Sequence, residues 1–374
     1  MLITNAKIVT PDEIFIGTLQ CDDGRISDIS TGSSTAPDAM DWGGDYLLPG
    51  FVELHTDNLE KHLMPRPGVL WNAQAAFVMH DVDVAAAGIT TVFDALAVGS
   101  RDQGVRGREV QGACAKVLEQ LAGHLRADHY LHLRCEVAAA DVVDAFDALA
   151  SHPRLQLASV MDHTPGQRQW RNHAQWRRYH ERHGKIADAQ IETVLVEMRE
   201  EQERFSTPHR QAIVERCAVL GIAVASHDDT DIDHVEQAVI EGIALSEFPT
   251  TLAAARAAHE RGISTIMGGP NVVRGGSHSG NVSALELAEA DCLDILSSDY
   301  VPASLLLGAF TLAGIEGWDL PRAVRTISLS PAQRVGLTDR GAVAPGLRAD
   351  FVRVTMINGQ PVPVETYVCG RRVA

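Results

Sequence analysis

Eight short apolar runs, separated by helix-like stretches, constrain the fold of this chain more than any other feature of its sequence. Residues 106–126 and 211–220 are two of the predicted helices between them. Regular alternation of strands and helices is typical of a parallel sheet covered by helices, and eight repeats predict an α/β fold of the (β/α)8 TIM-barrel type. The predicted strands are Phe51–Leu54, Thr90–Phe93, Tyr130–Val137, Gln156–Met161, Ala223–Ser226, Ala244–Phe248, Ser264–Met267 and Asp294–Ser297.

The two ends of the chain have a different pattern, in which short β-type runs alternate with turns such as Asp22-Asp23-Gly24. Neither end has enough residues to bury a hydrophobic core alone. We therefore predict that residues 1–48 and 340–374 join into one small β-sandwich domain. Residues 49–339 would then form the catalytic barrel.

Charge and composition exclude several classes of protein. The chain has 32 Lys+Arg against 49 Asp+Glu, a net charge of −17, whereas nucleic-acid-binding domains are usually basic. It contains no apolar run long enough to span a membrane, and its N-terminus lacks the pattern of a signal peptide. The six cysteines are scattered along the chain, which indicates reduced thiols. We expect a cytoplasmic protein without nucleic-acid or membrane partners, and the sequence leaves open whether it forms a homo-oligomer.

Five of the predicted strands are followed by histidines or carboxylates. The carboxyl ends of barrel strands meet at one face, where active sites lie. Histidine and carboxylate groups converging there suit Zn²⁺, Mn²⁺ or Fe²⁺. One such motif would be a weak signal, but five together predict a metal centre. They are His55-Thr56-Asp57, Glu136, Asp162-His163, His227-Asp228-Asp229 and Asp299.

Residues 47–57, which end in Glu53-Leu54-His55-Thr56-Asp57, resemble the first-strand signature of the amidohydrolase superfamily. This resemblance implies the barrel together with a β-domain built from both chain ends. The superfamily usually has His-x-His here, so Asp57 is a departure. Longer motifs extend the resemblance over nearly the whole chain, to the diphosphatases of the carbon–phosphorus lyase pathway. They are residues 53–61, 161–169, 226–229, 247–251, 270–281 and 297–300.

The resemblance also implies a metal site with assigned ligands. His55 and Asp57 would bind the more buried ion, completed by Asp299, while His163 and His227 would bind a second ion. Many members bridge two ions with a carboxylated lysine, but none of the four lysines (Lys7, Lys61, Lys116 and Lys185) ends a predicted mid-barrel strand. Glu136 is therefore assigned as the bridging ligand, and its binding to a single ion stays open. One or two divalent ions are expected, with zinc preferred to manganese or iron.

The implied activity is hydrolysis of a small anionic ribose 5-triphosphate to a 5-phosphate and pyrophosphate, with Asp299 as general base. An acidic protein must bind such a substrate through local cationic and N–H groups. The loop Arg274, Gly275, Gly276, Ser277 and His278 offers an arginine, hydroxyl and imidazole donors, and glycines that let backbone N–H groups approach phosphate. Further candidates for the phosphates or the phosphonate are Arg66, Arg134 and Arg168.

Two other functions remain open at this point. A C–N hydrolase, such as a deaminase or cyclic amidase, is the commoner activity on this scaffold, although Asp57 and the 274–280 loop suit an anionic substrate better. A catalytically silent scaffold would have lost its metal ligands, which are intact here. Residues 166–204 interrupt the alternation with a basic and then an acidic segment. They are interpreted as a solvated helical pair over the barrel mouth, with a ligand clamp as the alternative.

Overall fold

The computed structural model describes residues 1–99, 104–171, 176–177, 191–277 and 280–374. It contains a parallel barrel and a second sheet built from both chain ends, which confirms the predicted fold class. The strands of the second sheet are β1 Leu2–Val9, β2 Ile14–Asp22, β3 Arg25–Thr31, β4 Met40–Asp41 and β5 Tyr46–Pro49, followed after the barrel by β14 Phe351–Ile357, β15 Gln360–Val368 and β16 Arg371–Arg372.

The terminal sheet depends on both ends of the chain. Its order is β16-β15-β14-β5-β1-β2-β3, with β4 beside β1, and β14 pairs antiparallel with β5. Its core is aromatic: the ring centroids of Trp42 and Phe351 are 6.0 Å apart, and those of Phe351 and Tyr367 are 4.7 Å apart. Because these side chains come from opposite ends of the chain, neither end could form this core alone. The domain boundaries given above stay predictions.

The barrel strands pair in parallel and in chain order, and each one overlaps a predicted strand. A bridge between Thr56 and Asp299 joins the first and last of them, with the Asp57 N–H donating to the Asp299 carbonyl at 2.7 Å. The barrel is therefore nearly closed. Its strands are β6 Phe51–Thr56, β7 Ile89–Val98, β8 Asp128–Glu136, β9 Leu155–Met161, β10 Ala223–His227, β11 Leu245–Glu247, β12 Ser264–Gly268 and β13 Ile295–Ser297.

The barrel interior has an apolar layer beneath a polar one. Alternation along a strand returns to the same face after two residues. Tyr130, Leu157, Ala225 and Leu245 belong to one buried apolar cluster inside the barrel. Two residues further along the same four strands, toward their carboxyl ends, come His132, Ser159, His227 and Glu247, all buried. The polar layer thus forms the floor of the site, and the apolar layer seals it from below.

Helices cover the outside of the barrel, and no described helix is long and apolar enough to cross a membrane. The predicted helix over 106–126 is confirmed as α3, and 211–220 is the end of α5. Residues 172–175 and 178–190, which include most of the predicted basic segment and Lys185, lie outside the described residues. The helices are α1 Asn58–Leu63, α2 Ala73–Ala86, α3 Arg108–Leu121, α4 Val142–Leu149, α5 Ile191–Leu220, α6 Ile232–Ile240, α7 Leu252–Glu260, α8 Gly269–Arg274, α9 Ala284–Glu289, α10 Ser304–Leu312, α11 Leu320–Arg325 and α12 Leu329–Arg334.

Candidate metal centre

Glu247, at the end of β11, organises the floor of the site. Its Oε1 lies 3.0 Å from His55 Nδ1, and its Oε2 lies 3.0 Å from His227 Nδ1 and accepts a hydrogen bond from Ser159 Oγ at 2.8 Å. Burial opposes ionisation of Glu247, but the charges of His55 and His132 and the hydrogen bonds from His227 and His55 hold its pKa well below the ordinary value. One buried carboxylate therefore fixes two imidazole rings.

Phe248, the next residue, packs against the same two rings. Its ring lies edge-on to His55 at a centroid distance of 4.9 Å and to His227 at 5.4 Å. The His55 and His227 rings are themselves stacked, 5.7 Å apart. The backbone of Phe248 has a φ of +54°, a strained value for a bulky residue. This strain turns the aromatic ring toward the histidines directly after the strand that supplies their carboxylate partner.

His163 has a separate carboxylate partner. Its Nδ1 lies 2.7 Å from Glu136 Oε2, and its backbone N–H donates to Glu136 Oε1 at 3.0 Å. Burial opposes protonation of His163, whereas the Glu136 charge raises its pKa. The structure therefore brings Glu136 and His163 together, with the Glu136 carboxylate at Nδ1 of the imidazole ring. A carboxylate on one imidazole nitrogen fixes the tautomer and orients the other nitrogen toward a metal.

Asp228 completes a group of three ligand atoms with His163 and His227. Its Oδ2 is buried without a hydrogen-bond partner, 3.6 Å from His163 Nε2 and 3.8 Å from His227 Nε2. Two tetrahedral ligands, each about 2.1 Å from a zinc ion, are about 3.4 Å apart. A buried carboxylate oxygen without a partner is costly in a folded protein unless a cation balances it. The group therefore fits a divalent metal ion.

A second potential group lies deeper. Ligand atoms of His55, His132 and Glu247 all lie within 4.8 Å of one another. His132 Nδ1 is 3.0 Å from the Leu54 carbonyl and its Nε2 contacts Ser159 Oγ, while burial lowers its pKa to about 3. Both oxygens of Glu247 already have hydrogen-bond partners. This group differs from the first in having no carboxylate oxygen without a partner.

Asp57 does not join His55 in a shared group. Its two oxygens accept hydrogen bonds from Arg134 Nη1, at 2.7 and 2.9 Å, and Arg106 Nη2 lies 3.4 Å from Oδ2. Burial opposes ionisation of Asp57, but the charges of Arg134 and Arg106 hold its pKa well below the ordinary value. The carboxylate that replaces the superfamily's second histidine is thus the partner of two arginines.

Asp299 lies at the barrel closure. Its backbone carbonyl accepts hydrogen bonds from the Asp57 N–H and from Thr56 Oγ1, and its φ is +54°. Behind it, buried Glu53 accepts hydrogen bonds from the His55 and Ser298 N–H groups, which ties the first strand to the last. Burial raises the pKa of Glu53 to about 7. The closure therefore holds the backbone of Asp299 beside that of His55.

The predicted phosphate-binding residues have different surroundings. Arg274 is exposed at the end of α8, on the rim of the mouth. The Gly275 and Gly276 N–H groups donate to the Val272 and Asn271 carbonyls, so they cap α8 and are already engaged. A phosphate role for this loop stays a prediction that depends on Arg274 and Ser277. His278 lies outside the described residues.

The remaining arginine candidates lie apart from one another. Arg168 is buried and donates through Nη1 to the His227 carbonyl at 2.7 Å and to Asp229 Oδ1 at 2.6 Å, contacts that support the end of β10. Arg66 is exposed in a turn that is closed by a bridge to Val69. Among the predicted phosphate-binding arginines, Arg134 and Arg168 are buried, and Arg134 is the one that contacts Asp57.

None of the described lysines lies where it could bridge two ions at the site. Lys7 lies on β1, Lys61 on α1 and Lys116 on α3, away from the carboxyl ends of the middle strands. Sequence reasoning included Asp228 in the motif after the fifth strand without giving it a role, and it assigned no role to Glu247, His132 or Arg106. One signal was present for Glu247, a single carboxylate inside a short apolar run. For Asp228 the signal was only its position next to His227.

The chain was compared with known proteins. No family model matches it. It is 44% identical over 356 residues to the alpha-D-ribose 1-methylphosphonate 5-triphosphate diphosphatase of Escherichia coli (strain K12), an alignment that covers 94% of both chains. The chain belongs to this diphosphatase family. It is therefore a hydrolytic enzyme, and the resemblance seen in its motifs is confirmed.

Solved structures of a deaminase and a dihydropyrimidinase have the fold of this chain. A 5-methylcytosine deaminase from Klebsiella pneumoniae matches with a TM-score of 0.67 at 15% identity, covering 100% of this chain and 98% of that one. A dihydropyrimidinase from Brevibacillus agri NCHU1002 matches with a TM-score of 0.65 at 14% identity, covering 99% and 94%. At such low identities these matches show the fold alone. Together with the ligand groups, this fold supports the use of a divalent metal by the diphosphatase.

Proposed function

We propose that this enzyme hydrolyses alpha-D-ribose 1-methylphosphonate 5-triphosphate to the corresponding 5-phosphate and pyrophosphate, using a bound divalent metal ion. The observation that carries the proposal is the unpartnered Asp228 Oδ2 between two imidazole nitrogens, in a chain 44% identical to a diphosphatase of that substrate. The substrate is small and strongly anionic, so its recognition has to be local in a protein of net charge −17.

His163, His227 and Asp228 would hold the ion, and zinc suits this mixed imidazole and carboxylate set best. Such an ion supplies Lewis acidity and favours deprotonation of a water molecule near neutral pH. Glu136 and Glu247 would orient the two ligand histidines through Nδ1. This assignment replaces the bridging role predicted for Glu136, because both of its oxygens contact His163.

In the proposed reaction a water oxygen bonds to the α-phosphorus, and the bond from the α-phosphorus to the oxygen shared with the β-phosphorus breaks. That oxygen leaves with pyrophosphate, and the water proton passes to Asp299 and then to solvent. Asp299 suits this role because the barrel closure fixes its backbone beside His55, at the mouth. A general base must lie within hydrogen-bond reach of the proton that it takes.

The test is ³¹P NMR of the zinc-loaded enzyme with this substrate in ¹⁸O-water. We expect pyrophosphate to appear, with the ¹⁸O label in the sugar 5-phosphate. Label confined to pyrophosphate would exclude attack at the α-phosphorus, and no turnover would exclude the proposed substrate. The Asp299→Asn variant should lose turnover by about 100-fold or more while it keeps its metal, as expected for removal of a general base.

A C–N hydrolase is the second candidate, since a 5-methylcytosine deaminase and a dihydropyrimidinase have the same fold. A sequence similarity to the adenine deaminase of Ligilactobacillus salivarius (strain UCC118) covers only 59 residues, 16% of this chain. Fold alone does not choose between reactions. A panel of cyclic amides and aminopurines, assayed beside the triphosphate, separates the candidates. We propose a cytoplasmic location, since the six cysteines are free thiols.

A further inference from the structure

We infer that the Arg134 guanidinium serves as the second cation of the site, so that the enzyme binds one metal ion and uses Arg134 where related sites use a second ion. Asp57 is then the counter-ion that positions Arg134 and is not a metal ligand. This inference rests on the proposed function, because it concerns how the same site binds the phosphoryl oxygens of the substrate.

The first support is the set of contacts of Arg134. It lies on β8, two residues before Glu136, and its side chain is only 8% exposed. Nη1 donates to both oxygens of Asp57, and buried Nε has no hydrogen-bond partner. Within the described part of the chain, Asp57 is the sole hydrogen-bond acceptor of this guanidinium. Arg134 therefore has N–H groups that donate to no described residue.

The second support is the link that Arg134 makes between the two candidate groups. Its strand β8 also carries Glu136, the partner of His163 Nδ1, and its own partner Asp57 lies two residues after His55. The guanidinium therefore connects the strand that supports the first group with the strand that supplies His55 to the second. A fixed cation at this position would repel a second divalent ion bound beside it.

The third support is the set of contacts around Asp57, which directly precedes α1. Glu60, one turn further on, pairs with Arg106 Nε at 2.7 Å and with its Nη2 at 3.1 Å, and the same Nη2 lies 3.4 Å from Asp57. Two carboxylates at the start of one helix thus hold two guanidinium groups toward the mouth. Both oxygens of Asp57 therefore accept hydrogen bonds from guanidinium groups, whereas Asp228 Oδ2 accepts none.

Guanidinium groups suit this task because their planar fork of donors matches phosphoryl oxygens and their charge does not depend on pH. Nη2 of Arg134, which donates no hydrogen bond to a described residue, would contact the oxygens of the phosphoryl group under attack. Asp57 would keep the guanidinium in place before the substrate arrives, since an unpaired buried arginine is costly. The site would then bind the triphosphate with one metal ion on one side and Arg134 on the other.

Metal content is the first test. Protein stripped with a chelator and reloaded with Zn²⁺ should contain one ion per chain by plasma mass spectrometry. Asp57→Asn and Arg134→Lys should each keep one ion, while Asp228→Asn should keep less than one-tenth. Two ions per wild-type chain, or loss of the ion in Asp57→Asn, would overturn the inference.

Anion binding is the second test, with inorganic tripolyphosphate as the probe in calorimetry of the zinc-loaded protein. Arg134→Met should bind it at least tenfold more weakly, with Arg134→Lys between Arg134→Met and wild type. The matched control is Arg154→Met, which removes a partner of Asp128 at the opposite end of the barrel strands and should leave binding unchanged. If Arg134→Met does not fold, Arg134→Lys and Asp57→Asn carry the test, each with weakened binding expected. Unchanged binding in folded Arg134 variants would refute the inference.

The two proposals fail in different ways. If the wild-type protein holds one ion and binds tripolyphosphate through Arg134 but releases no pyrophosphate, the proposed substrate is wrong and the inference stands. If it releases pyrophosphate with two ions bound, the function stands and the inference is wrong.

Discussion

Two clusters of two histidines and one aspartate in this protein share the same residue types and differ in their hydrogen bonds. The inner cluster, His163, His227 and Asp228, lies at the barrel mouth. The outer cluster, His80, Asp94 and His129, lies between α2 and strands β7 and β8. In the outer cluster His80 Nε2 is 2.7 Å from Asp94 Oδ1, and His129 Nδ1 is 2.8 Å from Asp94 Oδ2.

The outer cluster is also closed at both ends. Asn58 Nδ2 lies 2.8 Å from His80 Nδ1, and Asp81 Oδ1 lies 3.3 Å from His129 Nε2. Every nitrogen and carboxylate oxygen of the outer cluster therefore has a partner, whereas Asp228 Oδ2 in the inner cluster has none. Residue type alone would assign a metal to both clusters. The difference in hydrogen-bond satisfaction is the reason that we propose a metal site at the inner cluster and a structural role for the outer one.

The largest expected effect is that of Asp228→Asn, which replaces the charged carboxylate by a neutral amide, a weaker ligand, and leaves the two histidines in place. We expect loss of more than nine-tenths of the bound zinc and a fall in turnover of about 1000-fold, because the metal supplies most of the activation of water. Plasma mass spectrometry and pyrophosphate release measure the two quantities. The neighbouring Asp229 is bound to Arg168 and is no substitute ligand. Full metal content in this variant would contradict the proposal that the inner cluster binds the metal ion.

Asp94→Asn is the matched change in the outer cluster. It breaks a buried network, so we expect a loss of about 3 kcal/mol in the free energy of unfolding, with metal content unchanged. Urea unfolding followed by circular dichroism gives the first quantity. A drop in bound zinc in folded Asp94→Asn protein would contradict the structural role proposed for the outer cluster.

Glu136→Gln sharpens the comparison inside the inner cluster. Because Glu136 contacts His163 Nδ1 and is assigned as an orienting group, its neutral replacement should weaken zinc affinity by about 10- to 100-fold without abolishing binding. Competition with a chelator of known affinity measures this change. Complete loss of zinc, equal to that of Asp228→Asn, would return Glu136 to the role of a ligand.

The smallest expected effect is the pH dependence of stability that the outer cluster creates. Burial opposes protonation of His129, but the charges and hydrogen bonds of Asp94 and Asp81 raise its pKa to about 9. A pKa raised on folding stabilises the protein fully below about pH 6.5, and this contribution is lost as the pH rises through 9. Between pH 7 and pH 9 the loss is about 2 kcal/mol. Urea unfolding of wild type and His129→Gln at several pH values measures this loss. The same dependence of the unfolding free energy on pH in both proteins would contradict it.

The barrel could be predicted from the sequence because each buried strand is marked by its own apolar run, and all eight predicted strands were found. The metal ligands were harder to predict because the side-chain direction after a strand end depends on backbone geometry. Asp228 and Asp229 are adjacent and identical in type. The positive φ of Asp228 aims one of them at the histidines, while Asp229 pairs with Arg168. Likewise, the sequence does not show that the tertiary fold brings Arg134 from β8 beside Asp57.

Anomalous diffraction from crystals of the zinc-loaded protein would test the assignment of the metal most directly. We expect one anomalous peak per chain, within bonding distance of His163 Nε2, His227 Nε2 and Asp228 Oδ2, with Asp57 still bound to Arg134. A peak at His80, Asp94 and His129, or a second peak that is ligated by Asp57, would contradict the assignment.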